Sequence, residues 1–107
     1  MKINIEKHQN EKEIFVSVAG EIDAYTAPNL REELLPLSEG KDKTITVNLK
    51  DVSYMDSTGL GVFVGLFKQL NKNDGELRLV ELSDRLKRLF ELTGLSKIMN
   101  ISEDGRR

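Results

Sequence analysis

Ile3 and Ile5 alternate with polar residues, and so do Ile14, Val16 and Val18 after the polar stretch Gln9-Asn10-Glu11-Lys12. A period of two residues marks a half-buried strand, so these runs predict a β-hairpin. Gly20-Glu21-Ile22-Asp23 then ends the pairing. Ala27-Pro28 opens a helix whose buried stripe is Leu30, Leu34 and Leu37, spaced by four and three. Thr26 or Asp23 is positioned to cap it.

After the polar break Ser38-Glu39-Gly40-Lys41-Asp42, the β-branched run Thr44-Ile45-Thr46-Val47-Asn48-Leu49 reads as a central strand. A loop from Lys50 to Asp56 leads to a second helix, from about Ser57 to Leu70. Leu60, Val62, Phe63, Val64, Leu66, Phe67 and Leu70 make it the most apolar stretch of the chain, so most of its circumference is expected to be covered. The turn Asn71 to Gly75 precedes a third core strand through Leu77, Leu79, Val80 and Leu82. Ser83 or Asp84 caps a third helix with Leu86, Leu89 and Phe90 inward and Gly94 as its stop. Ile98, Met99 and Ile101 form a short last element before a polar tail, 102–107.

The order β-β-α-β-α-β-α, closed by a short strand or helix, gives an α/β class with a mixed sheet of four to five strands. Its crossovers are right-handed, and its helices lie mainly on one face. A chain of 107 residues fits one domain spanning 1–107.

Composition narrows the function more than the fold. Sixteen basic and 18 acidic side chains are scattered along the chain for a net charge of -2, which leaves no broad cationic surface for nucleic acid or anionic lipid. Neither is an expected partner. Cysteine is absent, which removes disulfides and thiolate chemistry and suits a reducing compartment. The N-terminus lacks the apolar run of a signal peptide and no segment is long enough to span a bilayer, so the expected location is the cytoplasm.

The densest candidate chemistry is Asp56-Ser57-Thr58-Gly59, where the central strand hands over to the second helix. Sites gather outside the carboxyl ends of strands in α/β sheets, where helix N-termini and loop side chains converge. Unpaired N–H groups there suit a phosphate oxygen, so a phosphoserine is tolerable at Ser57. The plainer reading is that Asp56, Ser57 or Thr58 caps the helix. Gly59, Gly61 and Gly65 follow, each costing about 1 kcal/mol relative to alanine within a helix. Gly61 and Gly65, four apart, read as internal close packing, and bare Gly59 as access for another protein to the Ser57 oxygen.

Other chemistries fail on residue type. A serine hydrolase needs a base, yet His8 in the first hairpin is the only histidine, and Gly-x-Ser-x-Gly is missing. Neither the phosphate-binding loop nor Gly-x-Gly-x-x-Gly occurs. His8 lacks companion ligands for a metal. Arg85, Lys87 and Arg88 read as the solvated face of the third helix. No catalytic residue, cofactor or metal site is expected.

Val52-Ser53-Tyr54-Met55-Asp56-Ser57-Thr58-Gly59-Leu60-Gly61-Val62 resembles the phosphorylation-site motif of anti-sigma factor antagonists, single-domain members of the STAS fold. Gly20-Glu21-Ile22-Asp23 with Thr26-Ala27-Pro28, and Leu89-Phe90-Glu91-Leu92-Thr93-Gly94-Leu95, are similar to the family's other markers. Within it, Ser-Tyr-Met-Asp-Ser-Thr-Gly-Leu-Gly is closest to antagonists of the general stress sigma factor regulator in Gram-positive bacteria.

The resemblance implies partner switching. An anti-sigma factor that is also a serine kinase is bound by the unphosphorylated antagonist and lets go of its sigma factor. Phosphorylation ends the competition, and a serine phosphatase restores it. By motif, Ser57 is the phosphoacceptor with Thr58 as the alternative, and Asp23, Asp56, Ser57, Thr58 and Gly59 lie at the partner-binding surface. A second function for the same crevice is a small-anion or nucleotide sensor without kinase switching, with the two hydroxyls as donors.

Overall fold

The computed structural model describes residues 3–102. β1 (Ile3–Asn10) and β2 (Glu13–Ile22) form the expected hairpin, with Ile5 opposite Val18 and His8 opposite Phe15. Then come α1 (Ala27–Leu34), β3 (Thr44–Met55), α2 (Ser57–Lys72), β4 (Glu76–Val80), α3 (Asp84–Leu92) and β5 (Asn100–Ser102). The five strands lie in the order β1-β2-β3-β4-β5, with β1 antiparallel to β2 and all other neighbours parallel. The mixed α/β fold and its order of elements agree with the sequence pattern. The last element is a strand, and it includes Ser102, the residue at which the polar tail was expected to begin. The remainder of that tail, 103–107, lies outside the described residues.

Alternation along each strand sends Ile14, Val16 and Val18 from β2, Ile45, Val47 and Leu49 from β3, and Leu77 and Leu79 from β4 into one core. Leu30 and Leu34 of α1, Phe63, Leu66 and Leu70 of α2, and Leu86 and Phe90 of α3 cover that face. Phe15, Ser17 and Asn48 stand on the other face, and Phe15 is left exposed. Among the described residues no helix is long and apolar enough to cross a membrane.

Three expectations need correction. The first concerns the loop from Lys50 to Asp56, which is strand as far as Met55. It pairs with the end of β2, Gly20 opposite Val52 and Ile22 opposite Met55. The register shifts between Ser17 and Ala19 and again between Gly20 and Glu21, and each shift gives β3 one extra residue. These bulges let Leu49, Val52 and Met55, spaced by three, all turn inward. Gly20, at φ 110°, supplies the backbone freedom at the second bulge.

The second concerns α1, which stops at Leu34 and tightens into a 3-10 turn, Leu35–Ser38, around Pro36. Ser38 is buried rather than part of an open polar break: Gln69 Nε2 donates to its Oγ at 2.6 Å, and Asn73 Nδ2 to its carbonyl at 3.1 Å. The third is the coverage of α2, whose Gly61, Gly65 and Lys68 are open to solvent along one side.

Candidate functional site

β2 and β3 end side by side. The Asp56 N–H donates to the Ile22 carbonyl at 3.2 Å, so Asp23 and Asp56 leave neighbouring strands at the carboxyl edge of the sheet, each just ahead of a helix.

The turn after β2 is organised by Asp23. Its Oδ1 accepts from the N–H groups of Tyr25 at 2.9 Å and Thr26 at 3.1 Å, and the Ala27 N–H donates to its carbonyl at 2.8 Å. Thr26 Oγ1 accepts from the Asp23 N–H at 2.9 Å and donates to the Glu21 carbonyl at 2.7 Å. Thr26 is therefore the N-cap residue by position, yet its hydroxyl pins the preceding turn instead of capping α1. Asp23 is 6% exposed, and its Oδ2 is buried without a partner among the described residues. Tyr25 projects from the same turn at 86% exposure.

Of the three candidate caps of α2, Asp56 is the one used. Its Oδ1 accepts from the Thr58 N–H at 3.0 Å and also from the Thr58 hydroxyl, and its carbonyl accepts from the N–H groups of Gly59 at 3.1 Å and Leu60 at 3.2 Å. The Thr58 hydroxyl bond, helped by the Thr58 and Gly59 N–H groups and opposed by partial desolvation, holds the Asp56 carboxyl below the usual carboxylate range. Asp56 is thus a fixed negative charge. Because it engages these three N–H groups, the first turn is not the open phosphate cradle that the sequence suggested.

Ser57, the first residue of α2, is exposed, and among the described residues nothing pairs with its hydroxyl. Thr58 is also exposed, but its proton is committed to Asp56. The hydroxyl of Ser57, the expected acceptor, and that of Thr58, its alternative, are chemically different.

Glycine roles are reversed from expectation. Gly59 is buried, and a Cβ there would stand 2.6 Å from Ile22 Cγ2 and 2.7 Å from Met55 Cγ. Its bareness lets the first turn of α2 seat on the ends of β2 and β3. Gly61 and Gly65 have nothing within 4 Å of the position a Cβ would take. Gly61 leaves bare helix backbone in a groove of about 340 Å³ lined also by Ala24, Ala27, Pro28, Arg31, Thr58 and Val62.

Asp23, Asp56, Ser57, Thr58 and Gly59 therefore gather at one sheet edge, but only Ser57 and Thr58 are exposed, with Asp56 half-buried. Ile22 and Met55, the seat of Gly59, escaped the sequence reading because Ile22 read as the end of the hairpin and Met55 as part of a loop. The signal for the Thr26 pin was the Asp-x-x-Thr spacing, which the helix-cap reading absorbed.

The family model described as STAS domain matches residues 2–105. The anti-sigma-B factor antagonist of Bacillus subtilis (strain 168) is 59% identical over 103 residues, covering 95% of this chain and 93% of that protein. The anti-sigma-B factor antagonist of Staphylococcus aureus (strain NCTC 8325 / PS 47) is 52% identical over 103 residues, covering 96% and 95%. Among solved structures, an anti-sigma factor antagonist from Mycobacterium paratuberculosis superposes with a TM-score of 0.84 at 27% identity, covering 94% of this chain and 86% of that one. With a family model spanning nearly the whole chain and relatives of this identity and coverage, the chain belongs to the STAS-domain family of anti-sigma factor antagonists.

Proposed function

We propose that this chain binds an anti-sigma factor that is also a serine kinase, displaces the sigma factor, and is switched off by phosphorylation of Ser57. The name shared by its relatives, anti-sigma-B factor antagonist, supplies the class of partner. The observation that carries the acceptor assignment is the contrast at the start of α2: a free, exposed Ser57 hydroxyl beside a Thr58 hydroxyl held by Asp56. The kinase brings nucleotide, metal and base, so this chain needs no catalytic group of its own. A serine phosphatase reverses the modification. The work is done in the cytoplasm, where sigma factors act.

A phosphate adds about -1.5 to -2 charge at neutral pH next to the ionised Asp56. The N–H groups of Thr58, Gly59 and Leu60 are already used by Asp56, so that charge is displayed more than absorbed. An interface that covers it must leave a charge unpaired, which costs several kcal/mol, and each 1.4 kcal/mol is a factor of ten in affinity. A loss of about a hundredfold or more follows without any change of fold. Asp23 and Gly59 contribute from beneath, by shaping the two turns that a partner meets.

The test is a binding titration of wild type, Ser57→Ala and Ser57→Asp against the cognate anti-sigma kinase, with mass spectrometry after incubation with ATP. Wild type binds and is phosphorylated on Ser57, Ser57→Ala binds without modification, and Ser57→Asp binds at least a hundredfold more weakly. Equal binding by wild type and Ser57→Asp, or the absence of phosphate from both Ser57 and Thr58, sinks the reading. The sensor alternative is not favoured, because Asp56 occupies the Thr58 hydroxyl and the N–H groups of Thr58, Gly59 and Leu60, which leaves few donors for an anion.

A further inference from the structure

We propose that Thr58 is a positioning residue that makes Ser57 the sole acceptor of the site, by donating its hydroxyl to Asp56 and so withdrawing itself from phosphoryl transfer. The inference rests on the reading that a kinase acts at this edge.

In the transfer, a hydroxyl oxygen attacks the γ-phosphorus of ATP. An O–P bond forms, the bond to the ADP oxygen breaks, and the hydroxyl proton passes to the kinase's base. Both hydroxyls are exposed and adjacent in sequence, so reach alone does not separate them. Their surroundings do.

Thr58 bonds Asp56 Oδ1 through both its N–H and its hydroxyl. Attack by that oxygen brings the anionic γ-phosphoryl group against a carboxylate it already touches, where like charges repel most strongly. The product fares no better. A phosphothreonine has lost its O–H donor and sets a phosphate against Asp56 in place of a hydrogen bond. Asp56 is also a poor acceptor for the proton, since the same bond keeps its carboxyl acidic. Ser57 carries less of this penalty, because its hydroxyl pairs with no described residue and a phosphate there replaces no hydrogen bond to Asp56. The consequence is a switch with a single charge step and no second phosphorylation.

The experiment phosphorylates wild type, Ser57→Ala and Asp56→Ala/Ser57→Ala with the anti-sigma kinase and ATP, and locates the phosphate by tandem mass spectrometry. Wild type carries it on Ser57 alone and Ser57→Ala carries none. The double variant, with Thr58 released, takes phosphate on Thr58 at least tenfold faster than Ser57→Ala. The proposal is overturned if Ser57→Ala is modified on Thr58 within tenfold of the wild-type rate. It is equally overturned if the double variant binds the kinase in pull-down yet leaves Thr58 bare.

A readout independent of the kinase covers loss of binding. In proton NMR the Thr58 hydroxyl proton exchanges slowly in wild type and Ser57→Ala, and fast in Asp56→Ala. Equally fast exchange in wild type refutes the proposal even if no kinase reaction is seen. Wild type that takes no phosphate at all instead defeats the function proposed above.

Discussion

Thr58 grips Asp56 twice, through its N–H and its hydroxyl, while the Ser57 hydroxyl between them pairs with no described residue. The cap of α2 and the acceptor are therefore separate residues. Asp56→Ala is expected to cost about 0.5 to 2 kcal/mol, the usual value of an N-cap, whereas Ser57→Ala is expected within about 0.5 kcal/mol of wild type. Urea unfolding of both variants checks this. A Ser57→Ala loss as large as that of Asp56→Ala would return the cap to Ser57.

Acid should weaken the same cap. The folded-state pKa of Asp56 is lowered, so its contribution is complete above the ordinary aspartate range and is lost as pH falls through the lowered value. Wild type is expected to lose more stability on acidification than Asp56→Asn, which has no charge to lose. Parallel pH profiles of the two would contradict the carboxylate's role.

The glycines make opposite predictions within one helix. Gly59→Ala drives a methyl into Ile22 and Met55, and overpacking of about 1 to 3 kcal/mol exceeds the roughly 1 kcal/mol that alanine gains in a helix. Gly61→Ala and Gly65→Ala meet nothing and should each stabilise by about 0.5 to 1 kcal/mol. Denaturation midpoints decide, and a stabilised Gly59→Ala would show that the seat yields.

Asp23→Ala removes the acceptor for two turn N–H groups in a nearly closed environment, with an expected loss of about 1 to 3 kcal/mol. Partner binding by this variant should be measured below its unfolding temperature, where any further loss reports the shape of the turn rather than global stability.

Phosphorylated and unmodified protein should differ in stability by no more than about 1 kcal/mol, because the helix dipole favours the phosphate while Asp56 repels it. Thermal melts of the two forms test this, and a large shift would mean that the phosphate rearranges the fold.

Most of the architecture could be read from the chain, because Ile14-Val16-Val18, Ile45-Val47-Leu49 and the Leu30-Leu34 stripe each repeat at the period of the element they form. The second half of β3 could not: Leu49, Val52 and Met55 are three apart, and a bulge hides a strand from a rule of two. The cluster at the helix entrance was evident from residue types. Which side chain caps, which is free and which glycine is packed depend on tertiary neighbours such as Ile22, 37 residues before Gly59, and no local pattern encodes them.

Each bulge also gives β3 a residue of slack. Removing Lys50 or Ser53 would abolish a bulge while leaving Met55 opposite Ile22 and facing inward, so the chain would still deliver Ser57 to the rim. Removing Thr46 from the unbulged stretch offers no such escape, since Ile45 and Val47 could no longer both reach the core. Changes of length within β3 should therefore be tolerated where the strand is already irregular and refused where it is regular.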